Sequence, residues 1–451
     1  MKGEALKTGM PAPHASPLTP HANVAVIGGG WAGMAAAVEL AARNVPVTVF
    51  EAGPIPGGRA RRVEVNGVAL DNGLHILIGA YRETLRLIEL VNPDHAAALR
   101  RMPLDWTIHD EFHLAAPRLP APLHVFAGLL GARGIGWREK LDTIRFMRAL
   151  KRDRFTLPPD ITVKQLLTQH GQSEKLCRVL WRPLCVAVLN TPPAIASARV
   201  FLNVLRDSLY AERSASDILL PRVDLSALFP EPAAAWITQR GGRVRTGCRV
   251  TAIEPLENSF VVATGHRHET ARETFTHVIC ALPPHQANAF LIGITALSEI
   301  AEIIEHFEYQ PIHSVWLQYP ESIKLSSPML GFTSGIVHWI FDRETLCGQR
   351  GLIGAVISAS GAHLQLPQDQ LAAMVHREIR QALGSLPEPA WARVIAEKRA
   401  TFSCTPNLKR PPSTTLLRDF YLAGDYTAGD YPATIESAVR SGITCANMIC
   451  H

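Results

Sequence analysis

The sequence predicts an α/β protein, with a Rossmann-like dinucleotide-binding domain and a second, mixed α+β domain for substrate. Three observations predict it. An apolar run, Val24-Ala25-Val26-Ile27, opens directly into Gly28-Gly29-Gly30-Trp31-Ala32-Gly33. A second run, Val47-Thr48-Val49-Phe50, ends on an acid, Glu51. Near the other end of the chain, Phe420-Tyr421-Leu422-Ala423 leads into Gly424-Asp425 and then a helical pattern. Short apolar runs of this kind suit buried parallel strands.

Composition narrows the class. A chain of 451 residues, 47% hydrophobic and 19% charged, is globular and long enough for more than one lobe. The excess of Lys plus Arg over Asp plus Glu is only 5, which argues against a nucleic-acid partner. Mean hydropathy is +0.07, high for a soluble protein, so membrane association needs a direct test. The uncharged stretches are interrupted by Pro or Gly and none reads as a spanning helix. Residues 1–20 lack the apolar segment of a secretory signal and read as a disordered tail. The eight cysteines form no CxxC pair, so we expect reduced thiols, a cytoplasmic location and no metal site.

The first glycine cluster fits G-x-G-x-x-G, and each glycine has a separate task. Gly28 permits a tight turn, Gly30 lets the backbone approach a pyrophosphate, and Gly33 allows close packing of helix on strand. The N-terminus of the helix that follows faces the phosphates. Glu51 is placed to accept hydrogen bonds from an adenosine ribose, and a glutamate there disfavours a 2′-phosphate. Gly57-Gly58-Arg59 then adds backbone N–H groups and a guanidinium beside the same pyrophosphate. No second G-x-G-x-x-G follows, so a separate nicotinamide domain is not expected, and electrons come from, or go to, a partner, a quinone or oxygen.

A Gly-Gly-Arg just after the ribose acid resembles the FAD-dependent amine oxidase and phytoene desaturase superfamily. That resemblance implies FAD as cofactor. It places Asp425 at the ribityl hydroxyls and aims the helix after Pro432 at the flavin N1/O2 edge, where its positive end stabilises reduced flavin. Val250, in Arg249-Val250-Thr251, becomes the adenine contact. The full set assigned to cofactor is Gly28, Gly30, Trp31, Ala32, Gly33, Glu51, Ala52, Gly57, Gly58, Arg59, Val250, Gly424, Asp425, Thr434 and Ile435. The FAD-binding domain is then discontinuous, 21–80, 236–285 and 415–451, with 81–235 and 286–414 forming the substrate domain.

Asp71-Asn72-Gly73-Leu74-His75 and Leu189-Asn190-Thr191-Pro192, with Pro432-Ala433-Thr434-Ile435-Glu436, narrow the resemblance. They resemble the squalene-associated FAD-dependent desaturases, the hydroxysqualene dehydroxylases of bacterial hopanoid synthesis, over almost the whole chain from residue 22. A polar residue such as Gln is expected where this chain has Leu74. The family implies hydroxysqualene as a membrane-borne substrate, squalene as product, and contact with other enzymes of that pathway. It needs an acid for the leaving hydroxyl, and His75 is the candidate, with Asp71 to orient it; a structural histidine packed by the flavin is the equal alternative. Leu74 and Tyr431 are assigned to substrate, as is Asn190, although its place beside Pro192 favours a turn-forming role. Arg182 reads equally as a solvated or ion-paired residue.

A bilayer substrate suggests a peripheral protein on the inner face of the cytoplasmic membrane. The apolar Leu123 to Trp137, followed by seven basic and three acidic residues from Arg138 to Arg154, suits docking on anionic lipid. Two other readings share the fold. One is a carotenoid or polyprenoid desaturase running the flavin chemistry in the opposite direction. The other is a non-catalytic lipid-escort protein resembling GDP-dissociation inhibitors, which the intact glycine and acid set disfavours. An amine oxidase fits less well, because Thr434 stands where those enzymes commonly place an aromatic.

Overall fold

A computed structural model describes residues 22–266, 269–384 and 386–450. The predicted N-terminal tail lies outside the described residues.

Five short strands form one parallel sheet: β1 (Val24–Ile27), β2 (Val47–Phe50), β3 (Arg243–Arg245), β4 (His277–Cys280) and β5 (Phe420–Leu422), in the order β3-β2-β1-β4-β5. Every pairing in it is parallel. β1 and β2 are buried along their whole length, which is why they read as unbroken apolar runs. The chain leaves β1 through the helix Trp31–Ala42 and returns as β2 on one side, while β4 lies on the other. The strand order therefore reverses at β1, and a crevice opens beyond its carboxyl end, where Gly28 begins.

The C-terminal helix, Ile435–Cys450, packs across Trp31–Ala42. Gly442 makes the crossing possible, because a Cβ there would stand 2.1 Å from the carbonyl oxygen of Ala32. Both ends of the chain thus join one layer of the cofactor domain.

The second domain is built on a seven-stranded sheet. Its order runs Trp391–Phe402, Tyr309–Gln318, Leu352–Ser358, Trp339–Asp342, Met329–Gly331, Asp105–Ile108, Phe112–Ala115. Side chains alternate across it. Ile312, Ser314, Trp339, Phe341, Val356 and Ser358 line a large cavity. Val315, Leu317, Ile340, Ala355 and Ile357 face the other way and pack on Leu371, Val375 and Ile379 of the helix Gln368–Leu383. The helix Arg182–Leu189 closes the cavity's far side, with Leu184, Ala187 and Val188 on its wall.

Gly442→Ala should therefore push the two helices apart and cost about 1–3 kcal/mol, the range for overpacking a filled contact. Urea unfolding of the flavin-loaded protein measures it; an unchanged midpoint would mean the helices yield freely.

Candidate active site

The carboxyl end of the parallel sheet opens into a cavity of about 1010 Å³. Its floor is the glycine loop, in which the three glycines occupy different surroundings. Gly28 has φ +108°, and a Cβ on it would meet the Ala281 carbonyl oxygen at 2.6 Å. A Cβ on Gly33 would lie 2.0 Å from the Gly28 carbonyl oxygen, so this residue packs under the loop and does not line the cavity. At Gly30 the space is open, with the nearest atom, Gly58 Cα, at 3.9 Å. Gly30 also caps the helix Trp31–Ala42 without any side-chain hydrogen bond, leaving that helix's first N–H groups for an anion. Trp31 donates from Nε1 to the Ala60 carbonyl at 3.0 Å and stacks on Phe229, which ties the helix start to the second glycine segment.

Glu51 ends β2 with its carboxylate turned back into this loop. Oε2 accepts from Gly29 N at 2.8 Å and Oε1 from Gly53 N at 2.7 Å. Ala52 and Val250 stand beside it on the cavity wall, with Cys248 and Arg249. This end is shaped for an adenosine.

The other end of the groove is assembled from the chain's two termini. Arg59 donates through Nη2 to Asp425 Oδ2 at 2.7 Å and through Nη1 to the Ala400 carbonyl at 2.5 Å. Gly424 donates to Ser441 Oγ at 2.7 Å, holding the loop against the C-terminal helix. Thr434 Oγ1 accepts from Ser437 N at 3.1 Å, so Thr434 caps that helix, and Thr434 and Ile435 meet the cavity. An open glycine loop, an uncapped helix start, a ribose acid and a carboxylate locked near a second helix start are what a dinucleotide requires, and the residues fit FAD.

The substrate half is apolar. Ile76, Leu104, Trp106, Leu184, Met329 and Trp339 supply its wall, and Trp106 meets Trp339 edge-on at 4.7 Å. Leu74 and His75 both line the cavity. His75 Nδ1 lies 2.7 Å from the Gly73 carbonyl oxygen, and burial lowers its pKa below the usual histidine value. The neutral ring donates from Nδ1 to that carbonyl and leaves Nε2 without a proton.

Three sequence expectations are corrected. Asp71 does not orient His75, because its carboxylate lies off the cavity, where Oδ1 accepts from Leu225 N at 2.8 Å and Arg343 approaches within 3.8 Å. Burial of that pair pushes the Asp71 pKa up to about 6. Asn190 touches the cavity but has no polar atom to spare for substrate. Its Nδ2 donates to Thr401 Oγ1 at 3.0 Å and to the Pro311 carbonyl at 3.3 Å, and its Oδ1 accepts from Ala359 N at 2.8 Å. It closes the helix Arg182–Leu189 in the left-handed region, with φ +46°. Tyr431 is absent from the cavity wall because its hydroxyl is drawn to Asp207 Oδ2 at 2.5 Å. Arg182 pairs with Glu174 at 2.9 Å on the exposed side.

Residues that spacing did not reveal also surround the site. His285, Tyr81 and the Trp106–Trp339 pair line the cavity, and Arg410 stands behind the Asp425 loop. Tyr81 ends the segment that begins at Asp71, but neither it nor the others carry a spacing that marks them as site residues.

Fold and site together define a flavin-dependent oxidoreductase whose cofactor is FAD. The model for flavin-containing amine oxidoreductases matches residues 31–450, and the chain belongs to that family. A hydroxysqualene dehydroxylase from Rhodopseudomonas palustris is 31% identical over 440 residues, covering 94% of this chain and 98% of the relative. A zeta-carotene desaturase from Zea mays is 25% identical, with 96% and 84% covered. Among solved structures, a putative protoporphyrinogen oxidase from Exiguobacterium superposes with a TM-score of 0.67 at 16% identity, over 95% of this chain and 98% of that one.

Replacing Glu51 by Gln removes the charge from its two backbone hydrogen bonds and from any ribose contact. About 1.5–3 kcal/mol per charged hydrogen bond predicts FAD affinity weaker by roughly 10-fold or more. Equilibrium dialysis against FAD measures this; equal affinity would remove Glu51 from the site.

Proposed function

We propose that this oxidoreductase converts hydroxysqualene to squalene. The observation that carries the reading is the apolar arm, walled by indoles and aliphatic side chains, with His75 among the few titratable groups on the cavity wall. The curated relatives of matching length and the Asp-Asn-Gly-x-His segment support the substrate. Reduced FAD supplies a hydride. The chain's own residues manage the other half of the balance. The allylic C–O bond breaks, the hydroxyl takes a proton and leaves as water, and hydride fills the vacated carbon. The arm excludes bulk water from the cation, and the ring faces of Trp106, Trp339 and Phe341 offer it attractive electron density. His75 delivers the proton from Nε2 when charged, with the Gly73 carbonyl holding Nδ1–H in both states. The electron donor that re-reduces the flavin is external, and other squalene-pathway enzymes supply the substrate.

Such a substrate arrives from a bilayer, and we infer that the protein docks peripherally on the cytoplasmic face of the membrane. No helix among the described residues is long and apolar enough to cross one. Helices Leu123–Gly131 and Trp137–Arg152 present Leu123, Leu130, Trp137 and Leu141 to solvent, with Trp137 67% exposed. Leu129, in the same apolar run, is 2% exposed and belongs to the core. Lys140 is also turned inward, donating to the Leu130 carbonyl at 2.6 Å, so the basic surplus facing outward is smaller than the sequence count suggests. Arg138, Arg145 and Arg152 remain well exposed on this face.

Anaerobic incubation of dithionite-reduced protein with hydroxysqualene should yield squalene and oxidised flavin. If the flavin stays reduced and no squalene forms, the reading fails, and desaturation of a polyprenoid by the oxidised protein becomes the test of the alternative. Protonated His75 is the donor form, so single-turnover rate should fall as pH rises, with an apparent pKa below 6.5, the ordinary histidine value. His75→Ala should keep FAD and lose at least about 100-fold in rate. A pH-independent rate, or full activity in that variant, assigns the ring to packing. Leu123, Leu130 and Trp137 changed together to Asp should abolish co-sedimentation with anionic vesicles; undiminished binding would remove this face from the interface.

A further inference from the structure

The loop joining β5 to the C-terminal helix touches the cofactor cavity at both its ends and leaves it in between. Gly424, Asp425 and Tyr426 line the cavity, as do Ala433, Thr434 and Ile435. The intervening excursion has no helix or strand of its own to fix its shape. Asn203 donates to the Asp430 carbonyl at 3.0 Å and the Tyr431 hydroxyl to Asp207, but one side chain makes most of the ties. Arg410 donates to four carbonyl oxygens of this loop: Nη2 to Asp425 at 2.7 Å, Nε to Tyr426 at 3.3 Å, and Nη1 to Gly429 at 3.1 Å and Tyr431 at 2.8 Å. The tie is returned, since Ala428 N donates to the Pro411 carbonyl at 2.8 Å. The guanidinium rests on the ring of Phe402, 4.9 Å from its centroid, at the end of the strand Trp391–Phe402.

Two features separate this arginine from an ordinary structural one. Among the described residues it has no carboxylate within ion-pair distance, so its direct contacts are carbonyl dipoles and a ring face, with Asp425 and Asp430 acting on its charge from further off. It also shares Asp425 with Arg59, one arginine holding the carbonyl and the other the carboxylate. The planar fork of five donors matches several acceptors in a plane, which an ammonium cannot do.

We propose that Arg410 is a positioning residue for FAD: it holds the 425–431 loop closed before the cofactor arrives, so that Asp425 and the start of the C-terminal helix meet the flavin end in fixed geometry, and its charge, not taken up in a direct ion pair, favours the reduced, anionic flavin. Preorganisation of this kind acts on affinity by removing an ordering cost from the binding step. The charge, one layer behind the cavity wall at Asp425, acts on potential through the field it adds there, since positive charge stabilises the anionic product of reduction. The inference needs only the FAD site and is independent of which polyprenoid is reduced.

The test compares Arg410→Met, Arg410→Gln and Arg410→Lys, reading FAD dissociation constant, flavin midpoint potential by dye equilibration, and the thermal midpoint of the FAD-free protein. Arg410→Met should bind FAD at least tenfold more weakly and hold it at a lower potential. Arg410→Lys, which keeps the charge but not the fork, should recover the potential and only part of the affinity. Wild-type affinity and potential in Arg410→Met would overturn the proposal. So would a loss of affinity matched by collapse of the FAD-free protein with the potential unmoved in the fraction that still binds flavin. If Arg410→Met does not fold, Arg410→Lys and Arg410→Gln decide alone: Arg410→Lys with wild-type affinity, or Arg410→Gln with wild-type potential, rejects it.

Discussion

The pair between Arg59 and Asp425 joins residues 366 positions apart, and the rest of the cofactor site is organised by it. One partner follows the first glycine loop and the other ends the last strand of the parallel sheet. Bringing such distant segments together costs loop-closure entropy, although that cost grows only slowly with separation. Burying the charges costs more. Asp425 is 6% exposed, and a desolvated carboxylate is tolerated only when it is paired and hydrogen-bonded. Arg59 supplies the pairing, and the Ala400 carbonyl takes another of its donors. Such a pair is weak evidence for stability in itself. Its importance is geometric, since losing one partner strands the other charge at the place where the flavin end of the cofactor sits.

From that point the constraint spreads outward. The C-terminal helix is held by Gly442 against Ala32, and Glu436 in its first turn accepts from the backbone N–H and the hydroxyl of Thr84 at 2.9 and 2.8 Å. A carboxylate of one helix thereby caps the start of another, Arg82–Val91, where negative charge is favourable. Glu436 belongs to the Pro-Ala-Thr-Ile-Glu run that helped to place the family, yet its hydrogen bonds are architectural. Motif membership and contact with cofactor are therefore separate properties, and only the geometry distinguishes them.

The glycine loop, Glu51 and Arg59 follow from local chemistry in the sequence, while Val250 and Asp425 come from the family resemblance, and the structure brings all of them to one cavity or its floor. A turn, an open approach, a packed crossing or an acid at a strand end imposes a residue type at a fixed offset. The substrate half was legible only in outline. Asp71 and His75 lie four residues apart, which invites a paired reading, but Asp71 closes a strand and turns under Leu225 while His75 comes after the intervening turn. Asn190 looked like a polar contact near a proline pair, and its αL conformation and buried acceptors instead use every polar atom in closing a helix. Arg410 carried no signal, because four backbone carbonyls make a binding site that leaves no trace in residue identity. Trp106 and Trp339 meet across strands more than 200 residues apart, a contact that no local period records.

The placement of acids along the cavity bears on its chemistry. Its carboxylates are Glu51, Glu397 and Asp425. Glu51 is held by the glycine loop, Asp425 by Arg59, and Glu397 contributes to the field around Arg59 and His285, so all three belong to the cofactor end. The arm beyond Leu74 is walled by aliphatic and aromatic groups with a few hydroxyls, among them Ser208, Ser216 and Ser314. A delocalised cation formed there would meet no anion to collapse onto and little water to trap it, while ring faces lower its energy without bonding to it. Hydride from the flavin end would then be the nucleophile within reach. A site of this division, charged where the cofactor lies and dry where the hydrocarbon lies, selects the outcome of ionisation by exclusion as much as by attraction.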